Sequence, residues 1–243
     1  MNRRMVLKEC WDIFSLKALT LFLFVWIFIG LTAISESETH RLSEILLLAF
    51  GGVKPDGQIH VMGLFRWLGS LVPYLTISLS GFNRRMLNIV YTLPRVGSAN
   101  VWWRQKLVGI CVGSLFYFCI GLFIVGGLSL FSGGAWDKFP IRIFLYPFLL
   151  ITCVMVLCLA ALFFSQTMIV AIFVIVWGVT SVIGDKANRF IPLLFGCYGM
   201  ATQVTETMDI ILVAIVNIAV IVIIWIIGGK LLWVSFDYKN WNC

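Results

Sequence analysis

Six stretches of 18 to 25 residues, each with no more than one charged side chain, dominate this sequence. They lie at 16–34, 61–82, 107–130, 143–164, 167–184 and 210–234. A helix needs roughly 17–25 mostly apolar residues to cross the hydrocarbon core of a bilayer. Backbone polar groups in that core must be satisfied within the segment, which leaves helices as the structure such runs adopt. The chain is therefore expected to be all-α, a polytopic membrane protein with six transmembrane helices and one transmembrane domain over 1–243. Composition excludes a soluble fold: 61% of the 243 residues are hydrophobic and 12% charged. Soluble chains average about 45–50% and about 25%.

Charge sets the orientation. Placing both termini in the cytoplasm puts eleven of the 18 Lys and Arg residues inside with only Glu9, Asp12 and Asp237. The opposite orientation inverts this, against the rule that cytoplasmic loops carry the basic excess. The net charge of +7 thus sorts by membrane side and does not point to nucleic acid. Arg66 and Lys230 lie near span ends, from which long side chains reach the headgroups.

Val6, Leu7, Trp11 and Phe14 recur at helical spacing with Lys8, Glu9 and Asp12 between them. Residues 1–15 read as an amphipathic helix lying on the inner leaflet, the other reading being an early start of the first span. Acidic residues before the first apolar run, and no small-residue cleavage site after it, argue against a signal peptide. In the first outer loop, 35–60, the apolar stretch 45–50 is too short to span and is expected at the interface or against the bundle. The segment 185–209 is apolar in its middle but broken by Pro192, Gly196 and Gly199, and reads as short helices at the outer side.

The longest basic inside segment, 82–106, carries Arg84, Arg85, Pro94, Arg95, Arg104 and Lys106. Pro94 disfavours helix at Leu93, so a break is expected there. Ser98 is placed to cap a new short helix through Trp102 and Lys106. Trp102 and Trp103, each with an apolar body and a polar N–H, suit either the headgroup layer or a protein groove. Gly109 and Gly113, four apart, offer a flat patch for helix packing, and Gly126-Gly127 either the same or a bend.

Six spans, an amphipathic start, the Leu93-Pro94-Arg95 break before Trp102-Trp103-Arg104-Gln105-Lys106, and broken helices after the fifth span resemble ABC-2-type transporter permeases over nearly the whole chain. The small size is similar to permeases of bacteriocin and lantibiotic self-immunity and of modified-peptide export. The resemblance implies that 82–106 couples to a separate P-loop ATPase, with the contact carried by 95–106. It implies a second permease subunit, identical or related, and a location in the cell membrane, simplest as a bacterial inner membrane. ATP and magnesium would bind the partner subunit and no cofactor this chain.

The chain has no GxxxxGK[ST] sequence, and 107–130, 143–164 and 167–184 hold no Asp, Glu, Lys, Arg or His. Ion-driven transporters place such groups at mid-membrane, so an external motor is favoured. No HExxH or GxSxG sequence is present, and no enzyme activity is expected. Glu206 and Asp209 share a helix face, which reads as a solvated helix start or a cation site. The seven cysteines form no CxxC pair, and His40 and His60 lack metal-ligand spacing. With 20 Phe and 10 Trp, an aromatic wall suits an amphipathic peptide or lipid-like molecule as cargo. The alternative is a membrane protein that sequesters a toxin or partner without transporting it.

Overall fold

The computed structural model describes residues 14–52, 61–183, 200 and 207–241, the last few residues of some helices and Val90, Thr92, Pro94 and Arg95 by backbone alone. The segment 1–13, nearly all of 185–206, and the side chains of Glu206 and Asp209 lie outside it. Eight α-helices form among the described residues. They are α1 (Leu16–Glu36), α2 (Leu42–Phe50), α3 (Val61–Leu87), α4 (Ile89–Val96), α5 (Ala99–Phe131), α6 (Leu145–Ala160), α7 (Gln166–Ile183) and α8 (Thr207–Trp241). A 3₁₀ turn, Ile141–Phe144, leads into α6.

Four helical segments are long and apolar enough to cross a membrane: Leu16–Glu36, Ala99–Phe131, Ile141–Ala160 and Ile210–Val234. These mark a multi-pass membrane protein. The long helices alternate in direction. Asn83 at the end of α3 donates to the Gln166 side-chain oxygen at the start of α7, at 3.4 Å. Trp103 at the start of α5 donates to the Ile224 carbonyl in the second half of α8, at 3.1 Å. One end of the bundle therefore gathers Arg84, Arg85, Arg104 and Lys230, and is called the basic end. The opposite end carries the connections 37–41 and 132–140, and is called the loop end.

The core is aromatic. Trp26, Phe50, Phe118 and Tyr146 pack together, with Trp26 and Phe50 ring centroids 4.7 Å apart. Gly121 on α5 lets α1 approach: a Cβ there would overlap the Trp26 ring. Between apolar lipid and apolar helices there is little hydrophobic drive, so close packing and internal hydrogen bonds hold such a bundle.

Three local expectations are corrected. The break falls at Gly97, not at Leu93. Helix α4 runs through Pro94, and Gly97 ends it with φ +85 while donating to the Leu93 carbonyl. Only glycine enters that left-handed region freely, which outweighs the preference set by the proline. Ser98 then caps a helix of 33 residues, accepting from the Val101 N–H at 3.2 Å, so the segment it opens is long. Arg66, in turn, points inward and is 1% exposed, because the ends of α1 and α2 supply it with acceptors.

Helix α2 is the unusual element. Its nine residues are too few to span, yet Leu42, Ile45, Leu46, Leu48, Ala49 and Phe50 are all buried. Its start is tied to the loop end: Leu42 N–H donates to the Ala135 carbonyl at 3.1 Å and Ser43 N–H to Asp137 at 2.9 Å. Its other end places Phe50 on Trp26, ten residues before the end of α1 and so about 15 Å along it. A helix of nine residues is about 14 Å long. It therefore reaches from the loop end about halfway along the 21-residue α1.

Candidate coupling surface and the buried polar contacts

The basic segment divides into a face turned out and a face turned in. Arg84 and Arg104 are exposed, as are Leu87, Tyr91, Ser98 and Val101. Arg85 is half-buried at the end of α3. Pro94 and Arg95 belong to α4, and their side chains lie outside the described residues. Trp102 and Trp103, in contrast, are fully buried. Both meet Phe82 of α3 edge-on, at 6.1 and 5.9 Å between ring centroids. Lys106 is buried too, its ammonium 5.1 Å from the centre of the Trp102 ring, a distance at which the ring face attracts a cation.

Trp103 is seated where α8 has no side chain. A Cβ on Gly228 would overlap the indole, and one on Gly229 would strike Asn100. The ring can thus reach the Ile224 carbonyl with its N–H. Through these contacts the start of α5 is fixed to α8 and to Phe82 of α3. Gly109 and Gly113 are buried in the following turns of α5. Gly126 and Gly127 face open space, in a helix that passes them unbroken.

Deeper in, polar side chains join four helices. Tyr117 of α5 and Tyr146 of α6 both donate to the Ser70 carbonyl of α3, at 2.7 and 3.2 Å. Pro73 has no N–H, so the carbonyl of Gly69, the residue before Ser70, lacks its ladder donor. Tyr74 and Ser114 share a further hydrogen bond at 3.1 Å. Asn217, fully buried in α8, accepts from Thr152 of α6 at 2.7 Å and donates to the Val213 carbonyl at 2.9 Å. Asn217 escapes a search for charged groups, but a lone amide in an aliphatic run is itself a signal.

At the loop end Arg66 pairs with Glu36 and donates to the Leu48 carbonyl at 3.2 Å, binding α3 to the ends of α1 and α2. A cation at a helix C-terminus also complements its dipole. Glu44 closes the turn between α1 and α2. Burial alone would raise its pKa. Hydrogen bonds from the Thr39 hydroxyl and N–H, the Ser37 hydroxyl and the Glu38 N–H outweigh that and lower it to about 2. Asp137 is held below its ordinary value by the Ser43 hydroxyl. Among the described residues, no three His, Cys, Asp or Glu side chains come together as a metal site would require.

No family model, no curated protein and no solved structure matches this chain.

Proposed function

We propose that the chain is the permease subunit of an ABC-2-type exporter, driven by a separate P-loop ATPase and moving an amphipathic peptide or lipid-like molecule out of the cell. In this reading α3 and α7 also span, giving six crossings. Both termini are cytoplasmic, residues 1–15 lie on the inner leaflet, and the home is a bacterial inner membrane. A second permease subunit, identical or related, completes the pathway.

The observation that carries the reading is the division at the basic end. Exposed Arg104 stands on α5, whose Trp102 and Trp103 are packed on Phe82 of α3 and, for Trp103, bonded into α8, and exposed Arg84 stands two residues beyond Phe82. A surface that only anchors a loop in headgroups needs no such mount. A surface that receives force from a motor does, because displacement must reach the spans without being absorbed locally. The lack of a P-loop in the sequence favours a motor on another chain.

The test is affinity purification in mild detergent with mass spectrometry of what accompanies the chain. A stoichiometric P-loop ATPase is expected, and Arg95→Glu with Arg104→Glu should release it without loss of membrane insertion. A folded chain that comes out alone, or with a partner that is not an ATPase, replaces this reading with sequestration of a toxin or partner.

A further inference from the structure

We propose that α2 is the outer gate of the transport route, and that Phe50 fills the place where an apolar side chain of the transported peptide rests against Trp26, Phe118 and Tyr146. This rests on the permease reading above and adds to it a gate and a substrate site.

Three observations lead there. The first is how α2 is held. Its backbone ends are satisfied by side chains of other elements: Asp137 accepts from the Ser43 N–H, and Arg66 donates to the Leu48 carbonyl. Between these ends Glu44 holds the turn from α1 through Ser37, Glu38 and Thr39, and the remaining side chains make apolar contacts. The helix can withdraw as a rigid piece without breaking its own hydrogen-bond ladder. The polar release points are few: Asp137 and Glu44 toward the loop end and the Arg66–Leu48 bond toward the deep end.

The second is the tight turn at its deep end. Gly51 N–H closes the last turn of α2 on the Leu47 carbonyl at 2.7 Å, and Gly52 takes φ +86. Residues with side chains rarely adopt that conformation. A Cβ at Gly52 would also press on the Met200 side chain. The chain therefore bends sharply at a pair of residues able to absorb a change in backbone angles.

The third is what lies beneath. The Trp26 and Trp67 rings flank Tyr146, with centroids 6.2 and 5.7 Å from it, and both indoles are 1% exposed or less. Neither Nε1–H has an acceptor among the described residues. A buried donor without a partner is costly, which is why such groups are rare. Two of them around one tyrosine, at the foot of a removable helix, mark a wall suited to a ligand rich in carbonyl groups. A peptide backbone supplies such acceptors, and its apolar side chains match the aromatic rings left by Phe50. Sugars and small ions fit this wall poorly.

The experiment uses the complex of the chain with its ATPase in lipid nanodiscs. The probe is a charged maleimide acting on Leu46→Cys, a position 1% exposed on α2. Modification above that of the parent chain is expected to run about tenfold faster with MgATP than without nucleotide, as a minor open form becomes the major one. In a second variant, Ser43→Cys with Asp137→Cys, oxidant is expected to cross-link the pair readily without nucleotide and about tenfold more slowly with MgATP. Should Leu46→Cys fail to insert, this surface pair carries the test alone. Rates unchanged by MgATP, in a complex that hydrolyses it, overturn the gate and leave the permease reading intact. Failure to recover any ATPase complex overturns the permease reading and the gate with it.

Discussion

Tyr117 donates its hydroxyl to the backbone carbonyl of Ser70 at 2.7 Å, and so joins α5 to α3 beside the Gly69 carbonyl that Pro73 leaves without its ladder donor. Tyr146 reaches the same oxygen from α6. A carbonyl has two lone pairs, and each donor backs up the other. Tyr117→Phe or Tyr146→Phe alone should therefore cost about 1 kcal/mol. The double variant should cost more than the sum of the singles, since it leaves the buried oxygen without either hydroxyl. Unfolding in mixed micelles, run as a double-mutant cycle, measures the excess.

The Arg66–Glu36 pair predicts a different pattern. Arg66 is 1% exposed and Glu36 32%, so removing Glu36 strands a buried guanidinium, at a cost of up to about 3–5 kcal/mol less the solvent screening of the exposed carboxylate. Glu36→Gln should be strongly destabilising, and Glu36→Gln with Arg66→Met less so than Glu36→Gln alone. Thermal unfolding of the parent, Glu36→Gln, Arg66→Met and the double variant in nanodiscs decides this. A double variant as unstable as the sum of the singles would show that the pair is not coupled.

Glycines separate by what they touch. Gly121→Ala and Gly228→Ala drive a methyl group into Trp26 and Trp103, and overpacking of this kind costs about 1–3 kcal/mol. Gly126→Ala and Gly127→Ala meet nothing within 4 Å and should be neutral or mildly stabilising, since alanine favours helix. Melting temperatures of the four single variants are the check.

Glu44 gives a pH signature at the loop end. Its folded pKa, about 2, lies below the ordinary value of 4.5. The stabilisation it contributes is fully present above about pH 4.5 and is lost as pH falls through about 2. Glu44→Gln should flatten the pH dependence of unfolding across that window and leave it unchanged near neutrality. Parallel melting curves from pH 6 to pH 3 test this, and an unchanged slope in Glu44→Gln would remove Glu44 as the cause.

The two faces of the basic segment should also part company. Arg84→Glu and Arg104→Glu change exposed charges and should leave the melting temperature nearly unaltered. Trp103→Ala empties a buried site and loses the bond to Ile224, for a cost of about 3–5 kcal/mol. Fluorescence-detected gel filtration after heating distinguishes the two classes.

Helix positions were legible because lipid imposes a length and an apolarity that few other constraints can mimic. The runs at 16–34 and 210–234 fall within Leu16–Glu36 and Thr207–Trp241. The placement of α2 was not legible, although its apolar stretch was visible. Its descent depends on Asp137, Arg66 and the Trp26 ring, none of them near in sequence. Arg66 illustrates the same limit, since its inward turn depends on acceptors from two other helices. In the basic segment the charges were read directly. Which tryptophan face meets the bundle was not, because it rests on Gly228 and Gly229 of a helix more than a hundred residues away.

The cap of α2 has a consequence for synthesis. Asp137 lies 94 residues after Ser43, the residue whose N–H it accepts. At about 5–20 residues per second, the ribosome delivers it on the order of 5–20 s after α2 has emerged. During that interval the short helix has neither the aspartate that closes its first turn nor most of the aromatic wall that encloses its tip. Its docking therefore follows the synthesis of α1, α3 and α5, and a truncation before residue 137 should leave α2 open to protease.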